Sequence, residues 1–204
     1  KLLRLDREVI KTISCDAQNN ILIASELQGL MICKNAATAA TQVPFVGTDD
    51  RKNYQYGVQA ICYDSKGQTL VFVQGKGLCR FNYQINRLEL LSTAVSYVNS
   101  LLAEGNEIWM ATNEGVFAYD ISTRKTNLRF SVQNAKLNSN LCVAIVSGGN
   151  KFLYIGTMGG GLNIYNKHTG LMSYLTSGDG RNGLSSGGIY ALYADKTRIW
   201  VGTR

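Results

Sequence analysis

Apolar and polar positions alternate along the chain in short runs, and these runs recur together as a unit. The clearest copy spans 141–175 and contains the apolar runs LCVAIVS, FLYIGT, LNIYN and LMSYL, with turns between them. Alternation over a few residues, or a short continuous apolar run, is typical of strands buried on one or both faces. No segment combines a sustained 3.6-residue period with helix caps, so the pattern predicts strands and no helix.

Three further copies align with this one on a glycine that opens the third strand. The four glycines are Gly29, Gly77, Gly115 and Gly161. The second strands also align, at 21–25, 70–74, 108–112 and 153–157, and 199–203 begins a fifth copy. Four short antiparallel strands that recur about every 40 residues match a propeller blade. A β-sandwich would not keep the glycine in register, and a β-helix would have a shorter period.

The predicted fold class is therefore all-β, with the whole chain forming a single β-propeller fragment. We expect an arc of four four-stranded antiparallel blades and the first half of a fifth, within a larger propeller of about seven blades. The expected blades are 9–46, 58–92, 98–131 and 141–176, with 189–204 starting another. Residues 1–8 would then be an outer strand of a preceding blade, and the chain would be part of a longer protein.

The composition argues against several classes of function and of site. The chain has 21 Lys and Arg against 14 Asp and Glu, a net charge of +7. These charges are dispersed, and their clusters lack interleaved aromatic residues, which argues against nucleic-acid binding. The five cysteines form no C-x-x-C pair, which argues against zinc and against a disulfide framework. All five lie in apolar runs, so we expect buried, reduced thiols.

Several segments together resemble a known repeat. They are Ile199–Thr203 (IWVGT), Gly160–Asn166 (GGLNIYN), Thr169–Gly170 and Asn182–Ser186 (NGLSS). They are similar to the two-component regulator propeller repeat. The third copy keeps Trp109, whereas the first two copies depart from the pattern.

This resemblance implies a function as well as a fold. Such repeats form the periplasmic sensor of hybrid two-component histidine kinases in gut Bacteroidetes, which detect carbohydrate breakdown products and control polysaccharide-use genes. The expected role is thus ligand sensing by a periplasmic region of an inner-membrane-anchored protein. The chain itself would have no enzymatic activity, catalytic residue, metal or cofactor. Expected partners are an oligosaccharide, the remaining blades and downstream domains of the same protein, and a second copy in a homodimer.

Propeller geometry indicates where a ligand would bind. The loop that leaves the fourth strand and the turn between the second and third strands lie at the same face, and loops on a rigid scaffold carry function. The loops concerned include 47–57, 131–140 and 177–188. Tyr rings can stack on a pyranose, while Arg, Asp and Asn side chains bond hydroxyl or acidic groups. The candidate ligand-binding residues are Arg51, Tyr54, Tyr56, Asp179, Arg181 and Asn182.

Two alternative functions remain open at this point. A polysaccharide lyase or glycosidase would need a charged catalytic cluster, and the only adjacent carboxylate pair is Asp49–Asp50. The single histidine, His168, lies in a turn and is expected to face solvent. Trp109 and Trp200 are expected to pack between blades rather than to hold a sugar. A non-catalytic protein-interaction scaffold is the other alternative.

Overall fold

The computed structural model describes residues 9–34, 39–46, 56–178, 180, 183–195 and 197–204. These residues form only strands, turns and bends, with no α-helix among them. No helix in these ranges has the length and hydropathy needed to cross a membrane. The strands are β1 (Ile10–Cys15), β2 (Ile21–Ser25), β3 (Gly29–Cys33), β4 (Thr41–Gln42), β5 (Val58–Tyr63), β6 (Thr69–Val73), β7 (Gly77–Asn82), β8 (Arg87–Ser92), β9 (Ser100–Glu104), β10 (Glu107–Thr112), β11 (Gly115–Asp120), β12 (Lys125–Phe130), β13 (Cys142–Gly148), β14 (Phe152–Thr157), β15 (Gly161–Asn166), β16 (Met172–Leu175), β17 (Ile189–Ala194) and β18 (Ile199–Thr203).

The strands pair in sequence order into antiparallel sheets. Four sheets have four strands each, β1–β4, β5–β8, β9–β12 and β13–β16, and β17 pairs with β18 alone. Every neighbouring pair in a sheet is antiparallel, as the apolar runs predicted. The chain divides into two compact units, Lys1–Val98 and Asn99–Arg204.

The glycine that opens the third strand is required by a close approach of two strands at Gly77, Gly115 and Gly161. Gly115 has a φ of 120°, and a Cβ there would lie 2.3 Å from the carbonyl oxygen of Phe130. Gly161 has a φ of 73°, and its Cβ would lie 2.4 Å from the carbonyl oxygen of Leu175. Only glycine adopts such a φ without strain and leaves room for the end of the fourth strand. This explains why the glycine recurs in register.

In the unit Lys1–Val98 the core lies between the two four-stranded sheets. The buried cluster consists of Leu22, Ala24, Leu30, Ile32, Val43, Phe45, Val58, Val71, Val73, Cys79, Phe81 and Leu88. Each fully buried aliphatic or aromatic side chain contributes about 1.5–3 kcal/mol relative to exposure. The two sheets are therefore held together mainly by apolar burial.

The unit Asn99–Arg204 buries an equivalent cluster between its first two sheets. Its members are Trp109, Ala111, Val116, Ala118, Phe130, Leu137, Cys142, Ile145, Leu153 and Ile155. The next pair of sheets meets at Gly156, where a Cβ would lie 2.5 Å from Cγ2 of Ile189. The small residue at the end of the second strand thus lets the following sheet approach closely.

The two tryptophans differ in environment. Trp109 is 6% exposed and stacks on Phe130, with ring centroids 5.7 Å apart. Trp200 is 54% exposed among the described residues, and its packing between blades stays a prediction. Its strand, β18, belongs to the two-stranded sheet, and Trp200 pairs there with Tyr193, which is also exposed. The Arg198 guanidinium lies 5.5 Å from the Trp200 ring centroid, and the indole N–H donates to the Asp195 carboxylate at 3.3 Å.

The five cysteines, all within the described residues, form no disulfide, but they are not all buried. Cys79 and Cys142 are buried, and Cys33 and Cys62 are half-buried. Cys15 is exposed, which corrects the expectation for that residue. Its side chain lies on the face of β1 that also exposes Ile13, because alternate residues of a strand point to opposite faces.

Candidate functional site

A cavity of about 430 Å³ lies between the two sheets of the unit Lys1–Val98. We call it the Tyr56 cavity, because Tyr56 is the predicted site residue that lines it. Other lining residues used below are Gln28, Gln42, Phe45, Asn86 and Arg87. Its volume is within the usual range for ligand pockets, about 300–1,000 Å³.

One wall of the Tyr56 cavity is the segment that follows the short strand β4. The Val43 N–H donates to the carbonyl of Leu30, 2.9 Å away, which ties the segment to its own sheet. The carbonyl of Pro44 accepts from the Leu88 N–H at 2.7 Å, and Val46 N–H donates to the Leu88 carbonyl at 3.0 Å. The segment therefore runs parallel to β8 and bridges the two sheets. Proline suits this place because its missing N–H is not needed for either contact.

Aromatic rings form the second feature of the cavity. Phe45 and Tyr56 meet edge to face, with centroids 6.3 Å apart and planes at 83°. The ammonium of Lys76 lies 4.4 Å from the Tyr56 ring centroid and 6.0 Å from that of Phe45. A cation over an aromatic face is attracted by the ring quadrupole. These contacts hold the half-buried Tyr56 ring in place at the cavity.

Polar groups complete the lining. The Arg87 guanidinium donates to the carbonyl of Phe45 at 3.1 Å, and the Gln42 amide donates to the carbonyl of Gln28 at 3.0 Å. Asn86 has a φ of 52°, a conformation that asparagine tolerates in turns, and it directs the chain into β8. Buried Leu30, Val58 and Leu88 surround these groups. A few oriented polar groups on an apolar, aromatic wall can fix a hydroxyl-rich ligand.

The structure describes only one of the six predicted ligand-binding residues, Tyr56. Arg51 and Tyr54 lie outside the described residues, as do the pair Asp49–Asp50 and the candidates Asp179, Arg181 and Asn182. His168 is exposed in the turn after β15, as predicted. Its backbone N–H donates to the Asn166 side chain at 3.0 Å.

Sequence reasoning missed the other groups of the cavity, Phe45, Lys76 and Arg87. Phe45 is brought to β8 by a parallel contact between segments far apart in sequence, which no local pattern encodes. The one available signal was Pro44, the only proline of the chain, flanked by apolar residues just before the candidate loop.

The sheets β1–β4 and β5–β8 also share a buried polar network, at the end opposite the Tyr56 cavity. Asp16, which is 5% exposed, accepts from the Tyr83 hydroxyl at 2.7 Å and from the Asn20 amide at 2.8 Å. The backbone N–H groups of Gln18 and Asn20 donate to its other oxygen. Burial alone would raise the pKa of Asp16, but these hydrogen bonds outweigh it, and the pKa lies below its ordinary value. Since Asp16 follows β1 and Tyr83 follows β7, the network links the two sheets.

The unit Asn99–Arg204 has a smaller cleft of about 300 Å³, between its first two sheets. Lys167 donates to both oxygens of Glu104 at 2.8 Å, and Arg129 pairs with Glu107. Each cation of this cleft therefore faces a carboxylate of the same cleft. Among the described residues, no group of three or more His, Cys, Asp or Glu side chains could hold a metal ion.

In the unit Asn99–Arg204, the turn between second and third strands contacts the loop that enters the next sheet, as predicted for the face that carries the ligand loops. The N–H groups of Gly159 and Gly161, in the turn between β14 and β15, both donate to the Gly187 carbonyl at 3.0 Å. Gly187 precedes β17, so the turn between second and third strands meets the loop that enters the next sheet. This confirms that these two kinds of loop share one face.

Comparison with known proteins bears on the fold. No protein-family model matches the chain, and no curated protein sequence matches it. Among solved structures, the β-propeller domain of Cps50 (Swd1) from Myceliophteria thermophila has a TM-score of 0.66 at 13% identity, covering 97% of this chain and 64% of that chain. The fold is a partial β-propeller. The four sheets of four strands are its blades, and β17 and β18 are the first two strands of a fifth, which confirms the predicted fold class.

Two further similar structures come from B. thetaiotaomicron. The extracellular domain of BT4673, described as a one-component system, has a TM-score of 0.77 at 21% identity, covering 99% of this chain and 26% of that chain. The extracellular domain of BT3049, described as a hybrid two-component system, has a TM-score of 0.73 at 19% identity, covering 95% of this chain and 27% of that chain. This propeller segment thus spans about a quarter of their length.

Proposed function

We propose that this chain is the ligand-sensing propeller segment of a hybrid two-component receptor, located outside the cytoplasm. The observation that carries the proposal is the similarity over nearly the whole chain to extracellular domains described as parts of one-component and hybrid two-component systems. The repeat motifs of the sequence resemble the same group of proteins. The proposal includes a periplasmic position in an inner-membrane-anchored protein.

The proposed ligand is an oligosaccharide that binds in the Tyr56 cavity. Its lining combines the features that sugar recognition uses, namely aromatic rings at Phe45 and Tyr56 with amide and guanidinium donors at Gln42 and Arg87. Aromatic faces pack against the C–H faces of a pyranose, and the polar groups orient its hydroxyls. These features support the assignment of the ligand to this cavity.

Binding at this place can be converted into a signal because the cavity is shared by two blades. Phe45 follows the first blade, whereas Arg87 belongs to the second, and a bound ligand would contact both. A ligand shifts a conformational equilibrium only by its difference in affinity for the two arrangements. An oligosaccharide that binds best to one blade-to-blade arrangement would stabilise that arrangement and bias the receptor.

Calorimetric titration tests this proposal. The protein is titrated with a panel of neutral and acidic oligosaccharides, in parallel with the variants Tyr56→Ala and Tyr193→Ala. We expect at least one oligosaccharide to bind, with affinity lowered about tenfold or more by Tyr56→Ala, a loss of about 1.4 kcal/mol. Tyr193→Ala is the matched control, because Tyr193 is exposed on β17, outside the cavity.

Other outcomes identify the alternatives. Release of shortened products from any polysaccharide in a depolymerisation assay would favour the lyase or glycosidase and contradict a purely sensing role. Failure of the whole panel to bind would favour a protein-interaction scaffold. Binding that Tyr56→Ala leaves unchanged would place the ligand elsewhere on the protein.

A further inference from the structure

The ion pair between Glu104 and Lys167 links two neighbouring blades of the unit Asn99–Arg204. Glu104 ends β9 in the third blade, and Lys167 directly follows β15 in the fourth. We propose that this pair is a salt-sensitive latch, which closes the cleft between the two blades over the ring of Trp109. The inference does not depend on the proposed ligand, since it concerns how the two blades are held together.

The same two places of the repeat are also linked in the first pair of blades. Asp16 directly follows β1, and Glu104 ends β9. Tyr83 follows β7, and Lys167 follows β15. The Tyr83 hydroxyl donates to Asp16 at 2.7 Å. The Lys167 ammonium donates to both oxygens of Glu104 at 2.8 Å. The repeat therefore places an inter-blade link at this position twice, and the second link joins opposite charges.

The environment of the latch makes it both strong and accessible to salt. The Lys167 ammonium also donates to the carbonyl of Gly149, and the Ser147 hydroxyl donates to Glu104. The side chains of Lys167 and Glu104 are 18% and 29% exposed. Partial shielding from water strengthens the attraction between the two charges. Salt screens the separated charges of an open arrangement more than those of the shielded pair, so salt favours opening.

The other end of the same two strands is linked by neutral groups. The side-chain amide of Asn99, just before β9, donates to the carbonyl of Cys142 at 2.8 Å, where β13 begins. Salt has little effect on such a bond, because neither group carries a net charge. Opening at Glu104 would therefore pivot about Asn99, and the two blades would stay attached.

The cleft beneath the latch contains three aromatic rings, those of Trp109, Phe130 and Tyr165. Trp109 is 6% exposed and stacks on Phe130. Phe130 belongs to the third blade and meets Tyr165 of the fourth, with ring centroids 4.7 Å apart. Separation of the blades at this end would break that contact and admit small solutes to Trp109. Local opening of this kind does not require the sheets to unfold.

A second ion pair lines the same cleft but lies within one blade. Arg129 of β12 pairs with Glu107 of β10, and the guanidinium carbon lies 5.6 Å from the Trp109 ring centroid. Loss of this pair leaves the link between Glu104 and Lys167 in place. Glu107→Gln is therefore the matched control for Glu104→Gln, since it makes the same change in the same cleft.

Fluorescence quenching of Trp109 by acrylamide, a neutral quencher, measures the opening. The chain has two tryptophans, so Trp200→Phe leaves Trp109 as the only one. In that background we compare Glu104→Gln, Lys167→Gln, the variant with both changes, and Glu107→Gln. The quenching constant is measured from about 0.01 M to about 1 M sodium chloride, over which the Debye length falls from about 30 Å to about 3 Å.

In the Trp200→Phe protein we expect the quenching constant to rise about twofold or more from low to high salt. Glu104→Gln and Lys167→Gln should each show the raised constant already at low salt, with little further rise. The variant with both changes should resemble either single one, because both changes break the same pair. Glu107→Gln should keep the low constant at low salt and the rise with salt.

A quenching constant that stays the same at all salt concentrations in the Trp200→Phe protein would overturn the latch. This comparison uses one protein, so it decides the question even if a further variant fails to fold. A rise with salt that survives Glu104→Gln would also overturn the proposal, since salt would then act elsewhere. Equal effects of Glu104→Gln and Glu107→Gln would contradict the assignment to the inter-blade pair.

Discussion

The network around Asp16 gives a quantitative prediction about how two blades are held together. One carboxylate oxygen accepts from the Tyr83 hydroxyl and the Asn20 amide, and the other accepts from two backbone N–H groups. Asp16→Asn keeps the hydrogen bonds from the two backbone N–H groups but turns an NH₂ group toward Tyr83 and Asn20. The hydroxyl of Tyr83 can reverse, because it also contacts the Thr69 hydroxyl at 2.7 Å, and the Asn20 amide can rotate to present its oxygen.

The two hydrogen bonds to Tyr83 and Asn20 therefore become bonds between neutral groups, and each loses roughly half of its strength. Hydrogen bonds to a charged group contribute about 1.5–3 kcal/mol each, so Asp16→Asn should lower the free energy of unfolding by about that amount in total. The assay is urea unfolding at pH 7. Asp64→Asn is a matched control, since Asp64 occupies the same turn of the next blade and accepts only from backbone N–H groups, through one oxygen. That variant should change stability by less than about 0.5 kcal/mol.

The loss of stability caused by Asp16→Asn should also depend on pH. The folded-state pKa of Asp16 is lower than its unfolded value, so its stabilising contribution is full above about pH 4 and is lost as pH falls through the folded-state pKa. The difference between the wild-type protein and Asp16→Asn should shrink below pH 4. A loss no larger than that of Asp64→Asn, or one that stays constant down to pH 2, would refute the reasoning.

Two further predictions concern packing and accessibility. Gly156→Ala should lower the free energy of unfolding by about 1–3 kcal/mol, because its Cβ would overlap Ile189. Gly178→Ala, at an exposed turn, should be nearly neutral. Equal melting temperatures for the two variants would contradict the packing at Gly156. Cys15 should react with a thiol reagent in the folded protein while Cys79 should not, because burial raises the pKa of Cys79 to about 12. Peptide mapping by mass spectrometry measures this, and equal labelling of both residues would contradict it.

The fold could be predicted because its signals are local and repeated. The glycines that open the third strands, such as Gly115, are required by a positive φ and by a close carbonyl, and that requirement recurs in every four-stranded blade. The alternating apolar runs then determine which face of each strand is buried. A neighbouring sheet also decides exposure: Trp109 and Trp200 occupy equivalent positions, and among the described residues only Trp109 has a following sheet packed against it.

The candidate site could be predicted only in part. Tyr56 was found because it adjoins a polar loop on the face where propeller loops gather. The contact between Phe45 and Arg87 joins residues 42 positions apart, through a parallel pairing outside the regular sheets. Neither hydrophobic periodicity nor turn chemistry reports such a contact, since both describe neighbours in sequence.

The measurement that tests the central claim most directly is a crystal structure of the protein with the oligosaccharide that binds it most tightly. We expect the sugar between the first two blades, in contact with Tyr56 and Phe45. A sugar bound elsewhere, with the Tyr56 cavity unoccupied in the same crystal, would contradict the account.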